Sequence, residues 1–287
     1  MINRFATGTA AATALVLSLT GCSGDIGTKG AGGSGNGTGG AGAAGTVSAV
    51  QVLERSSQQS GKADTVKMDL SIDATIAQRP TKTHMTGQLR FRPTLAESLT
   101  VDSGAGGQVQ VVLVDDVLYM KSPAFQQLAN GKPWVKLSLT ELGSKSGINF
   151  DSVIKQAQQN NPADQTKLLT ASKDVTKVGT ETIDGVRTTH YTGTVNVQEG
   201  LGKFDAKTRD QFQQLYQKLG TDKIGFDVWV DGDSLTRKMI NKVNTSQGQV
   251  NTTMLFSDYG KPVTITAPPA GEVGVMPSLG GAGQPRA

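Results

Sequence analysis

The sequence predicts an α+β protein: a large curled antiparallel sheet, a half-barrel, with helices packed on its concave face. Three observations predict it. Apolar and polar residues alternate through most of residues 66–258, the period of strands with one buried and one wet face. Short turns separate the alternating runs, so consecutive strands pair as hairpins. Helical periodicity is confined to a few isolated segments, which gives segregated layers and not a βαβ succession. A meander of about ten strands tends to curl, and the helices are the covers available to its apolar face.

The elements follow in order. Val47 to Ser60 has a helical stripe of Val47, Val50 and Leu53, with Glu54, Arg55, Gln58 and Gln59 opposite and Gly61 as the stop. Val66, Met68, Leu70, Ile72, Ala74 and Ile76 alternate with polar residues as a strand, and Arg79-Pro80-Thr81 reads as the turn after it. Met85 to Phe91, Leu95 to Val101, Gln108 to Val114, Val117 to Lys121 and Trp134 to Leu139 continue the meander, with Asp115-Asp116 as a tight turn. Asn149 to Gln159 and Pro162 to Ala171 carry short amphipathic patterns. Val175 to Ile183 and Val186 to Val197 form a hairpin around Asp184-Gly185, a strong turn signal. Asp205 caps a helix running to Leu219, whose Phe212, Leu215, Tyr216 and Leu219 share one side; Gly220 ends it. Ile224 to Val230, Leu235 to Asn244, Val250 to Asp258 and Val263 to Thr266 are the last strands. Beyond Pro268-Pro269 the chain is Gly- and Pro-rich and expected to be disordered.

The N-terminus is an address. Met1 to Arg4 is a short basic start, Phe5 to Leu19 an apolar run, and Leu19-Thr20-Gly21-Cys22 places the single cysteine after small residues. This is the pattern of an export signal over residues 1–21. The run is short for a bilayer span, which takes about 20 apolar residues. An ordinary secretory signal and an N-terminal transmembrane anchor are the competing readings; a cysteine used once, at the cut site, would be a coincidence under either. Leu-Thr-Gly-Cys resembles the bacterial lipobox, which implies cleavage before Cys22 and lipid on its thiol and new α-amine. Residues 22–46 then form the lipidated residue and a Gly-dominated tether. Such a coil of about two dozen residues spans roughly 25–30 Å. The body of the protein is residues 47–267 and the tail 268–287.

Composition excludes several classes of function. Lys and Arg number 28 against 24 Asp and Glu; losing Arg4 with the signal leaves 27 against 24, close to +3. That mild excess suits a surface near anionic headgroups. No basic run or stripe marks nucleic-acid binding. With one cysteine there is neither a disulfide framework nor a thiolate metal site. His84 and His190 are the only histidines and lie far apart in sequence, so no catalytic residue is assigned. The Gly-x-Ser-x-Gly elbow, the His-Glu-x-x-His pair and the phosphate-cradling loop are missing. Asp231-Gly232-Asp233 superficially suggests a calcium loop but lacks the distal glutamate, and a hairpin turn accounts for it. The chain is read as a non-enzyme without cofactor or metal.

Four stretches carry a resemblance: Asp115-Asp116-Val117-Leu118-Tyr119-Met120-Lys121, Pro133-Trp134-Val135-Lys136-Leu137, Val178 to Tyr191, and Phe226-Asp227-Val228-Trp229-Val230-Asp231. With the lipobox, the tether and the order of elements, they make residues 47–267 similar to the LppX/LprAFG family of actinobacterial lipoproteins. A more distant likeness is to the LolA/LolB lipoprotein carriers. The resemblance implies a half-barrel whose concave side encloses an apolar cavity for acyl chains. It also implies a cell-membrane location on the extracytoplasmic face, with a lipid or lipoglycan as ligand and an envelope transporter as candidate partner. Of the family's functional residues only the lipobox cysteine, Cys22, transfers by motif. Leu70, Ile72, Leu89, Phe91, Val111, Leu113, Phe226 and Val228 are the apolar-face residues expected to line or back a cavity, with Phe212 and Tyr216 on a helix that either lids it or simply packs on the sheet. Met68, Met85, Met120, Met239 and Met254 supply adaptable filling to such a space or to an ordinary core. The alternative to a carrier is an envelope sensor or structural lipoprotein with the same sheet and a filled interior.

Overall fold

The first and last long strands of the meander lie side by side at the centre of the sheet. The computed structural model describes residues 48–102, 104, 107–138, 163–204, 206, 209, 213, 216, 217 and 219–275. Among them are strands β1 (Thr65–Ile76), β2 (Arg79–Arg90), β3 (Ala96–Asp102), β4 (Gln108–Val114), β5 (Val117–Lys121) and β6 (Trp134–Ser138). The second half holds β7 (Thr176–Ile183), β8 (Val186–Asn196), β9 (Lys223–Asp231), β10 (Thr236–Thr245), β11 (Gly248–Ser257) and β12 (Val273–Val275). They form one open sheet in the order β12-β6-β5-β4-β3-β2-β1-β11-β10-β9-β8-β7. Every neighbouring pair is antiparallel except β12 against β6, which is parallel. The predicted curled sheet with helices on its concave side is the architecture found.

Helices α1 (Ala49–Ser60), α3 (Ala163–Leu169) and α4 (Val197–Leu201) lie on one face, while α2 (Pro123–Leu128) links β5 to β6. A capping box starts α1: the Gln51 amide donates to Ser48 Oγ at 3.3 Å, and the Ser48 amide to Gln51 Oε1 at 3.2 Å. Leu53 is fully buried. A hydroxyl cluster pins the same helix to β10, with Ser56 Oγ 2.8 Å and Thr166 Oγ1 3.2 Å from Thr236 Oγ1. Ser57 donates to the Ala163 carbonyl at 2.9 Å and ties α1 to α3.

Several expectations are corrected. The β1–β2 turn is Ala77-Gln78, both at positive φ (48° and 63°), and Arg79 to Thr81 already belong to β2. β8 stops at Asn196, whose side chain accepts from the Gln198 and Glu199 amides and starts α4, a helix the alternation hid. Val263 to Thr266 pairs with no strand among the described residues; it crosses the outer face, where Ile265 packs with Ala96, Val112, Val114 and Trp134. Prolines at 262, 268 and 269 bracket it and cannot donate to a ladder. In the tail expected to be disordered from 268, Ala270–Glu272 form a 3₁₀ turn and Val273–Val275 form β12. In the helix expected over Asp205–Leu219, residues 206, 209, 213, 216, 217 and 219 are helical. The helix expected over Asn149–Gln159 lies outside the described residues, as do Cys22 and the tether.

Candidate apolar binding face

Register assembles the apolar side chains into rows that cross the sheet. One row runs Met85, Leu70, Met254, Met239, Val228, Tyr191 across β2, β1, β11, β10, β9 and β8. A second runs Met68, Gly87, Leu99, Val111, Met120, Val135 from β1 to β6. A third runs Val66, Leu89, Glu97, Leu113, Leu118, Leu137 over the same strands. All point to the helix side, because side chains on paired residues share a face.

The two halves of this face differ in cover. Over β8–β11 and β1, residues Leu53, Leu168, Leu169, Val197 and Leu201 from the helices fill the face, and Val228, Met239, Phe226, Ile224 and Leu70 are at most 2% exposed. Over β2–β6, Leu89, Leu99, Val101, Val109, Val111, Leu118, Met120 and Leu137 are only half-buried. Gly87 shapes this half: a Cβ there would lie 2.3 Å from Leu99 Cδ2 and 2.6 Å from the Ser98 carbonyl oxygen, so only hydrogen lets Leu99 fold across it.

The expected lining residues divide accordingly. Leu70, Phe91, Phe226 and Val228 are buried in the closed core, where they back the face without presenting a surface. Leu113 is buried between Leu95 and Leu118. Ile72, Leu89 and Val111 are half-buried, the last two on the less covered half. Tyr216 packs against the main core, and burial pushes its hydroxyl up to about 12. Phe212 lies outside the described residues.

Sequence reasoning missed two polar groups on this face. Glu97 stands in the third row with Leu89 and Leu113 as its cross-strand neighbours. Burial pushes its carboxyl up from the usual glutamate range. Asn241 stands between Phe226 and Thr252, and its buried Oδ1 has no hydrogen-bond partner. Both were legible as alternation breaks, a polar residue in phase with apolar ones, but the strand pattern tolerates single breaks.

Over β7–β10 the outer face is polar and carries its own built cluster. His190 stacks on Trp229 at 4.1 Å, with Nδ1 3.0 Å from Glu181 Oε1 and Nε2 2.9 Å from Asp227 Oδ1. Trp229 Nε1 donates to Glu181 Oε2 at 3.0 Å, and Lys238 caps the other side of the indole at 4.5 Å. Burial opposes ionisation of Asp227, but bonds from Lys242, His190 and Thr192 outweigh it and hold the carboxyl below its usual range. Asp231, read as a turn residue, accepts from the Asp233 and Leu235 amides at 2.9 Å each and pairs with Arg237 at 2.6 Å, which leaves it in a hairpin turn. An open cleft of about 600 Å³ lies on this side, lined by groups such as Lys67, Asp69, Thr86, Gln88 and Ser98, and is not the apolar face.

Residues 160–265, spanning α3 and β7–β11, match the model described as LppX_LprAFG lipoprotein. Over that stretch the chain is similar to the LppX_LprAFG lipoprotein family. An uncharacterized 31.2 kDa protein of the rplA–rplJ intergenic region of Streptomyces griseus is 33% identical over 174 residues. That match covers 59% of this chain and 57% of the relative, so the chain spans little more than half the relative's length. The crystal structure of LprF from Mycobacterium bovis superposes with a TM-score of 0.50 at 15% identity, covering 76% of this chain and 96% of that one. The likeness is one of fold. The crystal structure of the Mycobacterium tuberculosis lipoprotein LppX gives a TM-score of 0.46 at 16% identity, covering 76% and 97%.

Proposed function

We propose that this protein is a membrane-anchored envelope lipoprotein that takes lipid acyl chains onto the half-covered rows of β2–β6 and carries or presents the lipid, a lipoglycan included, in the cell envelope. The observation that carries the reading is the contrast between a filled half and a half-covered half of one apolar face. Monomeric proteins rarely leave a contiguous apolar surface uncovered without a use for it. Each CH₂ taken from water onto such a surface contributes about 0.8 kcal/mol. No covalent step is required, and the role is binding rather than catalysis.

Cys22 supplies the anchor through its diacylglycerol and acyl groups, and residues 23–46 the reach, so the body works at the extracytoplasmic face of the cell membrane. An envelope transporter would then deliver or receive the lipid. Anchoring is checked by expressing the chain with its signal intact: it should partition into detergent, and Cys22→Ala should move it to the aqueous phase. Binding is checked by native mass spectrometry and solvent extraction of the Cys22→Ala form. Near-stoichiometric lipid is the expected result, and a clean mass with no uptake of offered lipid overturns the carrier.

One observation favours the alternative, an envelope sensor or structural module. Over β8–β11 the helices cover most of the described face, with Val243 and Val250 only half-buried at its edge, so the β2–β6 half is the larger surface a ligand could use. The same mass spectrum separates the two readings.

A further inference from the structure

The third cross-strand row is apolar at five of six positions, and the sixth is Glu97. On its own strand the next same-face residue is Leu99, and Leu95 precedes it, packed against Leu113. The carboxyl therefore sits inside a ring of Leu89, Leu95, Leu99 and Leu113. No hydrogen bond or ion pair to it occurs among the described residues. Its strand neighbours Ala96 and Ser98 point the other way, Ala96 into the outer-face cluster with Val112 and Trp134, so the placement of Glu97 is fixed by register.

A half-buried carboxyl set among leucines without a donor loses part of its hydration, which costs stability most when it is ionised. On the sheet, the carboxylates of the outer face are well satisfied: Asp227 has His190 and Lys242, and Asp231 has Arg237 and two amides, while on α3 Asp164 leaves Oδ2 buried without a partner. Glu97 differs from these sheet carboxylates, and it lies at the middle of the less covered half of the face.

We infer that Glu97 is the specificity-determining acceptor of the acyl-chain site, receiving a hydroxyl or ammonium N–H donor at the polar end of the bound lipid. This rests on the reading of β2–β6 as the acyl-contact surface. The leucines contact the chains, and Glu97 selects lipids that bring a donor to meet it. A headgroup offering only acceptors, such as a bare phosphate ester, gains nothing there and meets repulsion when the carboxyl is ionised.

The test uses the full chain with matched probes. Dioleoylglycerol is compared with its O-methyl ether, which lacks the hydroxyl donor. Dioleoyl phosphatidylethanolamine is compared with the phosphatidylcholine of the same chains, which lacks the N–H donor. Bound lipid is quantified by mass spectrometry after gel filtration. A hydrogen bond to a charged group corresponds to a preference of about tenfold or more for the donor member of a pair. Preference within the first pair identifies a hydroxyl, and preference within the second an ammonium. Glu97→Leu completes the leucine row and should fold; it should abolish the preference while leaving the acceptor-only probe bound as before. Glu97→Gln, which still accepts, should keep part of it. Equal binding within both pairs by the unsubstituted protein, or a preference that survives Glu97→Leu, overturns the assignment and leaves the acyl-chain reading standing. Absence of binding by all four probes overturns both.

Discussion

Leu53→Ala and Leu118→Ala separate a filled half of the sheet from an open one by stability alone. Leu53 is fully buried between α1 and the sheet, within the core that includes Leu70, Phe226 and Met239. Truncation removes three carbons from an environment with no water, a transfer loss of about 2.4 kcal/mol at about 0.8 per carbon. The space left behind adds to it, because helices pinned by the Ser56–Thr236 and Ser57–Ala163 bonds cannot settle into the gap, so the total should reach about 3–4 kcal/mol. Leu118 is half-buried at the β4–β5 end of the third row, touching Leu113. The same three carbons are there only partly withdrawn from water, and the loss should be about 1 kcal/mol. Urea unfolding followed by circular dichroism measures both, with an unchanged slope showing that the midpoint shift is stability. Equal costs at the two positions would refute the reasoning: β2–β6 would then be closed core, and the observation behind the lipid-binding proposal would be gone.

Three further outcomes are expected. Hydrogen bonds from Lys261 and then Lys67 hold the Asp258 carboxyl down at about 2, against an ordinary 3.8, so its contribution is complete above about pH 4 and is lost as pH falls toward 2. Asp258→Asn should flatten the thermal midpoint between those pH values, and an unchanged profile would contradict it. His190→Ala removes the groups facing Glu181 and Asp227 and should cost about 1–3 kcal/mol, while uncovering Trp229 should shift its emission to the red; an unmoved spectrum would show the stacked pair is not formed. Gly274→Ala places a Cβ 2.8 Å from both Cβ and O of Ala129, so β12 should lift from β6 and the segment after Pro269 should be cleaved faster by protease, with global stability little changed.

The meander was legible because its hairpins obey local rules. Asp184-Gly185 and Asp115-Asp116 both carry positive φ in two-residue turns, and Asp and Gly announce this in sequence. The Ala77-Gln78 turn has the same geometry in residues with no such preference, so the reading slid to the nearby Pro80. Gly248 shows the opposite case: it opens β11 at φ 150°, with no room for a Cβ against the Thr75 carbonyl, and the alternation begins only at Val250. Helix α4 is five residues long, too short for periodicity to declare, and it depends on one Asn196 cap. β12 pairs with β6 across more than 130 residues of chain in the one parallel contact among the described residues, and three residues carry no pattern. For the site, alternation identified which residues share the helix-side face. It could not say where helices lie over that face, because cover is decided by tertiary contacts such as Ser56 to Thr236 that join residues 180 positions apart.

The partition of the face bears on why a carboxyl is retained in it. If β2–β6 were core awaiting closure, Glu97 would be an uncompensated defect, and a leucine there would extend an existing row at no geometric cost. If it were a docking surface for another protein's apolar helix, the same carboxyl would be buried against that helix and equally costly. A lipid differs from both, because it brings acyl chains and a polar end within one molecule, so apolar contact and a hydrogen-bond donor arrive together. The row Val66, Leu89, Glu97, Leu113, Leu118, Leu137 has that composition: continuous apolar contact interrupted by one acceptor. Its two halves can be tested apart, the leucines through acyl-chain affinity and Glu97 through headgroup choice.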